Sequence, residues 1–333
     1  MNYIGSKHKL SGFIKDTVYS VVGKDLSDKV FCDIFAGTGI VGRIFKQETR
    51  QIIANDMEFY SYILNRNYIG NHQEISNAEA LLEELNQLDG QQDFVFENYS
   101  MGGKMGRQYF SVENAKKIDA IRQKIELWNL QGRISEDAYY FLLCSLLENA
   151  DKVANTASVY GAYLKQLKKS AQKPMILTPA AFSNTKQAHQ VFQKDSNELI
   201  KEISGDILYL DPPYNARQYG ANYHILNTIA KYDQFTPKGK TGLREYNKSK
   251  YCSKRSVSTE FEDLLKNAQF SYIFLSYNNE GLMSVEEVKQ LMQKYGRYSL
   301  EYTDYQRFKA DKDSNRQHAA NKTQEYLHVL EKK

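Results

Sequence analysis

Four adjacent residues, Asp211-Pro212-Pro213-Tyr214, hold the densest chemistry in the chain. They follow Ile207-Leu208-Tyr209-Leu210, a short apolar run of the kind that forms a buried strand. Ligands of open α/β sheets bind beyond the carboxyl ends of the strands. Two successive prolines have fixed φ and no N–H, so they cannot continue a ladder and they hold the chain extended. The Asp211 carboxylate and the Pro212 carbonyl can then each accept one hydrogen of an amine. An exocyclic amine such as adenine N6 is a poor nucleophile, because its lone pair is delocalised into the ring. Two acceptors fix it, draw it toward tetrahedral geometry and aim the lone pair. Positioning and preorganised charge then lower the barrier. Tyr214 offers a ring on which an extruded base can stack.

A second group lies near the amino end. Lys29 to Phe35 reads as a strand broken by Ala36-Gly37-Thr38-Gly39, with a helix at 40–46, a second strand at 51–55 and a helix from Met57 to Asn67. Glycines there permit a tight turn and close approach to a ligand. Asp56, twenty-three residues after Asp33, ends the second strand, where an acid can accept hydrogen bonds from two ribose hydroxyls. The run Gly37 to Gly42 has the form G-x-G-x-x-G, but Asp33 and Phe35 precede it. An acid at that point repels a pyrophosphate and suits an ammonium. The spacing alone specifies a nucleoside cofactor, and Asp33 tilts the choice to S-adenosylmethionine. Taken alone, this piece is equally a structural glycine turn.

These residues need a scaffold. A chain of 333 residues accommodates a large catalytic domain and a second module. The strand–helix–strand unit at 29–70 demands a parallel sheet with a right-handed crossover. Leu10, Phe13, Ile14, Val18 and Val21 mark a helix before it. Residues 71–185 are polar, with helices expected at Ile75–Leu88, Val112–Trp128 and Glu136–Val153. The sheet returns at 186–214. A helix near Asn222–Ala230 follows, then a basic loop at 236–257, a helix at Thr259–Asn267 and a strand at Ser271–Ser276. Tyr298–Phe308 and Glu325–Leu330 read as an antiparallel pair. The expected fold is α/β: a Rossmann-like, mixed and mostly parallel sheet flanked by helices. Its catalytic domain comprises 1–70 and 186–333, and 71–185 form an inserted, mainly helical module.

Together these motifs resemble the D12 class of adenine-specific DNA methyltransferases, the Dam-like members of the amino-methyltransferase α group. Asn2-Tyr3-Ile4-Gly5-Ser6-Lys7 looks like that family's N-terminal cofactor motif, with Tyr3 and Lys7 on the methionine side. Tyr3 stands where the family often has Trp or Arg. Asp33 to Gly39 resembles its Gly-rich motif, so Asp33, Phe35, Ala36, Gly37, Thr38 and Gly39 are expected at the cofactor. Asn55-Asp56, followed by Met57, resembles the ribose-binding position, and Asp195-Ser196 the position that contacts the cofactor adenine. Asp211 to Tyr214 is the catalytic motif. The runs Asn215–Tyr219, Asn222–His224 and Ser276–Gly281 look like stretches shared by one branch of the class. The motif order implies that ~70–185 read the DNA. The resemblance implies a Rossmann-like S-adenosylmethionine-dependent fold, double-stranded DNA as partner, no metal, and in some members a companion restriction endonuclease.

Between Thr236 and Val257, seven basic residues (Lys238, Lys240, Arg244, Lys248, Lys250, Lys254 and Arg255) face one acid, Glu245. Such a loop suits phosphate contacts. Lys165, Lys168, Lys169 and Lys173 form a second cluster and Arg217 a further candidate; a solvated surface is the alternative. Gly102 to Arg107 is a loop for a groove or a flexible tip. His72 and His224 are read as structural.

The net charge of +4 is too small to specify a polyanionic partner. Cys32, Cys144 and Cys252 are odd in number and far apart, against a disulfide framework or zinc site. The start lacks a signal-peptide core, and the longest apolar run, Ala138 to Leu147, is about half the ~20 residues of a membrane span. A cytoplasmic protein with no membrane partner is expected. Three rivals remain: a methyltransferase acting on RNA or a protein amide, a silent DNA-binding module, and a nicotinamide oxidoreductase. The last conflicts with Asp33.

Overall fold

The computed structural model describes residues 7–306 and 322–333. Seven strands form one sheet: β1 (Val30–Asp33), β2 (Gln51–Asn55), β3 (Gln190–Phe192), β4 (Ser204–Leu210), β5 (Gln269–Asn278), β6 (Gly296–Gln306) and β7 (Lys322–Lys332), in the order β3-β2-β1-β4-β5-β7-β6. β1 to β5 pair in parallel, and β7 runs antiparallel to both β5 and β6. This is the mixed, mostly parallel sheet anticipated above. From β1 the chain winds outward through β2 to β3, and from β4 it winds the other way to β5. That reversal between β1 and β4 opens a ligand crevice at the carboxyl ends.

Strand alternation divides the two faces. Val30, Cys32, Leu208, Leu210, Ile273, Leu275 and Leu330 share one core cluster. Helix Val257–Asn267 covers it with Val257, Phe261, Leu264 and Leu265, at the spacing of one helical face. Helix Val285–Gln293 adds Val288 and Met292, and its start is fixed by a capping box between Ser284 and Glu287. The alternate residue Phe31 leaves that cluster and stacks on Phe45 of helix Ile40–Phe45, with ring centroids 4.5 Å apart. Asp33 and Tyr209 have the same parity as Phe31, so the polar chemistry emerges on the face away from the covered core.

The chain packs into two compact units. The sheet unit comprises residues 7–65, 185–218, 247–306 and 322–333 among those described; the helical unit comprises 66–184 and 219–246. The expected insert, 71–185, is thus joined by 219–246, which the sequence reading assigned to the catalytic segments. Long-range polar bonds explain the difference. Arg122 donates to the carbonyls of Ile229 and Ala230, and the Tyr232 hydroxyl donates to Asp119 at 2.6 Å. Arg107 donates to the carbonyls of Gly239 and Lys240. Such bonds leave no local pattern.

Within the helical unit lie Ala78–Gln87, Phe94–Tyr99, Val112–Leu130 and Glu136–Val153. Ser111 and Ser135 cap the two long helices. Phe94–Tyr99 was not expected; its first N–H groups are satisfied from afar by the buried Asp119, which accepts from Val95 and Phe96. The three cysteines are buried and form no disulfide. No helix among the described residues is long and apolar enough to cross a membrane.

Candidate active site

Asp211 leaves β4 at its carboxyl end, and Lys7, in the short turn Lys7–Leu10, meets it with Nζ 3.0 Å from Oδ1. Lys7 is buried, whereas a fifth of the Asp211 side chain stays exposed. Burial alone would lower the Lys7 pKa, but Asp211, Glu325 and Tyr214 outweigh it, and the ammonium remains charged. Burial raises the Asp211 carboxyl, and Lys7 pulls it back. The pair therefore presents a charge-assisted acceptor, oriented through one oxygen and still partly open to a substrate.

The glycine turn packs against Asp56. Its Oδ2 accepts from Gly37 N at 2.8 Å and its Oδ1 from Glu58 N at 2.9 Å. Burial pushes the Asp56 carboxyl up to about 7. Gly37 and Gly39 have φ of 52° and 74°, a region that side chains disfavour. A Cβ on Gly39 would also stand 2.6 Å from Asn65 Oδ1. Asn65, missed in the sequence, donates to the carbonyls of Gly37 and Ser61 and so supports the turn from beneath.

Asp33 is buried, and one oxygen, Oδ1, has no hydrogen-bond partner among the described residues. Burial first, then the neighbouring Asp211 and Asp56, raise its carboxyl well above the usual range. A buried polar atom without a partner is costly, so this oxygen marks where a ligand donor would sit. Asp211 and Glu325 are the carboxylate neighbours of the Lys7 ammonium, and Asp211 and Asp56 are those of Asp33. That excess of acid suits a cation. S-adenosylmethionine, with an ammonium and a sulfonium, fits both the charge and the partnerless oxygen.

The rest of the pocket edge follows the strand order. β3, too short and exposed to stand out in the sequence, ends before Asp195, which caps helix Ser196–Leu199 through bonds from Asn197 N and Glu198 N. Asn55 ties this segment to β2 by bonding both ways with Lys194. Phe35 meets Tyr251 edge-on at 5.1 Å, and the Tyr251 hydroxyl bonds Asn197. Beyond Asp211, the Tyr214 carbonyl accepts from Leu282 N at 2.9 Å. Gly281 lies over the Tyr277 ring, where a Cβ would come within 2.1 Å. Leu282, directly after the run Ser276–Gly281, thus buttresses Tyr214. Thr38, Ala36, Met57 and Ser196 lie in the same segments; Tyr3 lies outside the described residues.

The basic stretch 236–257 is not one loop: 236–246 belong to the helical unit and 247–257 to the sheet unit. Arg244 is a correction. It is buried, forms two bonds to Asp233, and lies over the Phe235 ring at 4.8 Å, so it is a structural clamp and not a phosphate contact. Arg244→Ala should cost about 1–3 kcal/mol of stability, read by chemical denaturation, and leave the salt dependence of DNA binding unchanged. Lys168 is half-buried and donates to the Thr156 carbonyl. Lys238, Lys250 and Lys254 are exposed but paired with Glu245, Glu260 and Glu287; surface pairs of this kind exchange easily. Lys165, Lys169, Arg217, Lys240, Lys248 and Arg255 are exposed. His224 is buried against the Tyr160 carbonyl, and burial pushes its pKa down to about 4, consistent with a structural, neutral imidazole.

Comparison with known proteins finds that the model of the D12 class N6 adenine-specific DNA methyltransferases matches residues 3–291. The type II methyltransferase M.NlaIII of Neisseria lactamica is 64% identical over 332 residues, covering 100% of this chain and 99% of that protein. M.CviAII of Paramecium bursaria Chlorella virus 1 is 39% identical, covering 98% of this chain and 97% of that protein. M.FokI of Planomicrobium okeanokoites is 37% identical, covering 100% of this chain but 53% of its own length.

Proposed function

The chain belongs to the D12 class of N6 adenine-specific DNA methyltransferases, and on that premise we propose how its residues divide the work. The reaction moves a methyl group from S-adenosylmethionine to the N6 amine of an adenine in DNA. When bound, that donor supplies a methyl on sulfonium, which passes to the N6 lone pair as the C–S bond breaks and its electrons return to sulfur. The observation that carries the residue assignment is the Asp211 carboxylate, ionised and oriented by Lys7 at the carboxyl end of β4.

Asp211 accepts one N6 hydrogen through its exposed oxygen, and the Pro212 carbonyl accepts the other. Pro213 keeps the backbone extended so that both acceptors face one point. Tyr214 stacks on the flipped adenine. After transfer, N6 carries one proton too many, and Asp211 is the nearest base to receive it. Asp33 holds the donor's ammonium, Asp56 its ribose hydroxyls, and the Gly37–Gly39 turn lets the backbone approach. Phe35 and Ala36 line this turn, and Asp195 and Ser196 flank the adenine end.

The helical unit is assigned the reading of the DNA sequence. Lys165, Lys169 and Lys240 there, and Arg217, Lys248 and Arg255 on the sheet unit, are assigned to phosphates. Each replaced by Ala should weaken DNA binding and reduce the salt slope by about one per lost phosphate contact, with the affinity for S-adenosylmethionine unchanged. Titrations at several salt concentrations read this; slopes equal to the parent's for all six would reject the assignment. The type II designation of the relatives supports pairing with a restriction endonuclease of the same specificity. Work on chromosomal DNA supports a cytoplasmic location.

A further inference from the structure

Glu325 belongs to no motif, yet strand register brings it to the active site. Leu210, the residue before Asp211, pairs with Leu275 of β5. Three residues further toward the carboxyl end of β5, Asn278 pairs with Glu325 of β7. Leu330 of β7 enters the covered core, so Glu325, of opposite parity, stands on the other face with Tyr209 and Asp33. It is buried, 9% exposed. A buried carboxylate needs a compensating charge, and the cation it feels is Lys7: burial raises its carboxyl, Lys7 lowers it and Asp211 raises it. Its cross-strand partners, Asn278 of β5 and Thr303 of β6, do not titrate. The titrating groups around it are Lys7, Asp211, Tyr209 and Tyr214.

One ammonium therefore serves two acids. If Lys7 answered Asp211 alone, it would hold the Asp211 electrons tightly and leave a poor acceptor for the N6 hydrogen. A second acid shares that pull. We infer that Glu325 is a positioning residue that shares Lys7 with Asp211 and so sets how strongly Asp211 accepts from the substrate amine. The inference rests on the proposed role of Asp211.

Glu325→Gln keeps the shape and removes the charge. With full-length enzyme, saturating S-adenosylmethionine and a DNA substrate, single-turnover methylation is followed across pH. The expected result is a rate at neutral pH lowered about 10- to 100-fold. The acid limb of the profile should move to lower pH, because Asp211 loses a neighbouring negative charge and ionises more readily. Donor affinity should stay within about twofold, and Glu325→Asp should restore part of the rate. An acid limb that does not move, or that moves up, overturns the inference even if the rate or the stability falls. Should Glu325→Gln fail to fold, the Glu325→Asp profile decides: it must show a smaller change in rate than full loss and a limb displaced from the parent. If Asp211→Ala retains the parent rate, the reading of Asp211 fails first, and that outcome is distinct from an unmoved limb.

Discussion

Asp211→Ala should slow methyl transfer by about 10³-fold or more while leaving the affinity for S-adenosylmethionine within a few-fold. The carboxylate does two things that nothing else in the pocket replaces. It accepts one N6 hydrogen when the lone pair must leave the ring, and it receives the proton afterwards. The first acts in the transition state and the second after it, and neither is needed to bind the donor, so the loss belongs in the rate constant and not in binding. Lys7 adds a further consequence. Without Asp211, its buried ammonium keeps only Glu325 as a neighbouring carboxylate, and part of the damage will be structural. Asp211→Asn separates the two: it keeps the shape, loses the base, and should fall nearly as far in rate. Single-turnover methylation and equilibrium binding, measured side by side, read both.

Asp33→Ala should weaken S-adenosylmethionine by roughly 10- to 150-fold, the value of a charge-assisted bond of about 1.5–3 kcal/mol. The gain is discounted in the parent enzyme, because Asp33 is held well above the usual carboxylate range by burial, Asp211 and Asp56. An ammonium on that carboxylate favours its ionised form, so below the Asp33 pKa of the free enzyme donor binding is linked to release of a proton. The sign follows: affinity rises with pH below the Asp33 pKa, by up to about tenfold per unit, and levels off above it. Asp56, pushed up to about 7, adds a second, smaller rise near neutral pH. Calorimetric titration in buffers of different ionisation heat measures the released proton. Asp33→Asn should abolish most of that release and flatten the dependence to the part that belongs to Asp56. Binding that weakens as pH rises from about 6 to about 8 would contradict the assignment.

The parts of the site that were legible in the sequence are those that chain geometry forces to be local. Asp211 to Tyr214 is a strand end with two prolines, and Asp33 to Gly39 is a turn that needs glycine at two positive φ angles. Residues whose role depends on strand pairing left no such mark. Glu325 reaches the site through β7 lying beside β5, and Asn65 by standing under Gly39. β3 went unnoticed because three half-exposed residues make no apolar run. Charge misled where burial decided the outcome: Arg244 reads as a free basic residue beside Lys240 and Lys248, but Asp233 and Phe235 hold it inside the helical unit. The helical unit was found through its periodicity, while its second segment, 219–246, joins it by side-chain bonds to distant carbonyls.

The site at the carboxyl end of β4 methylates adenine N6 in DNA, and the identity of the product is the decisive reading. The enzyme would be incubated with S-adenosylmethionine labelled in the methyl group and with unmethylated double-stranded DNA, RNA and protein in parallel, and the DNA then digested to nucleosides. Label is expected in N6-methyladenine and in no other nucleoside. Label in a cytosine product, or label confined to the RNA or the protein, would contradict it.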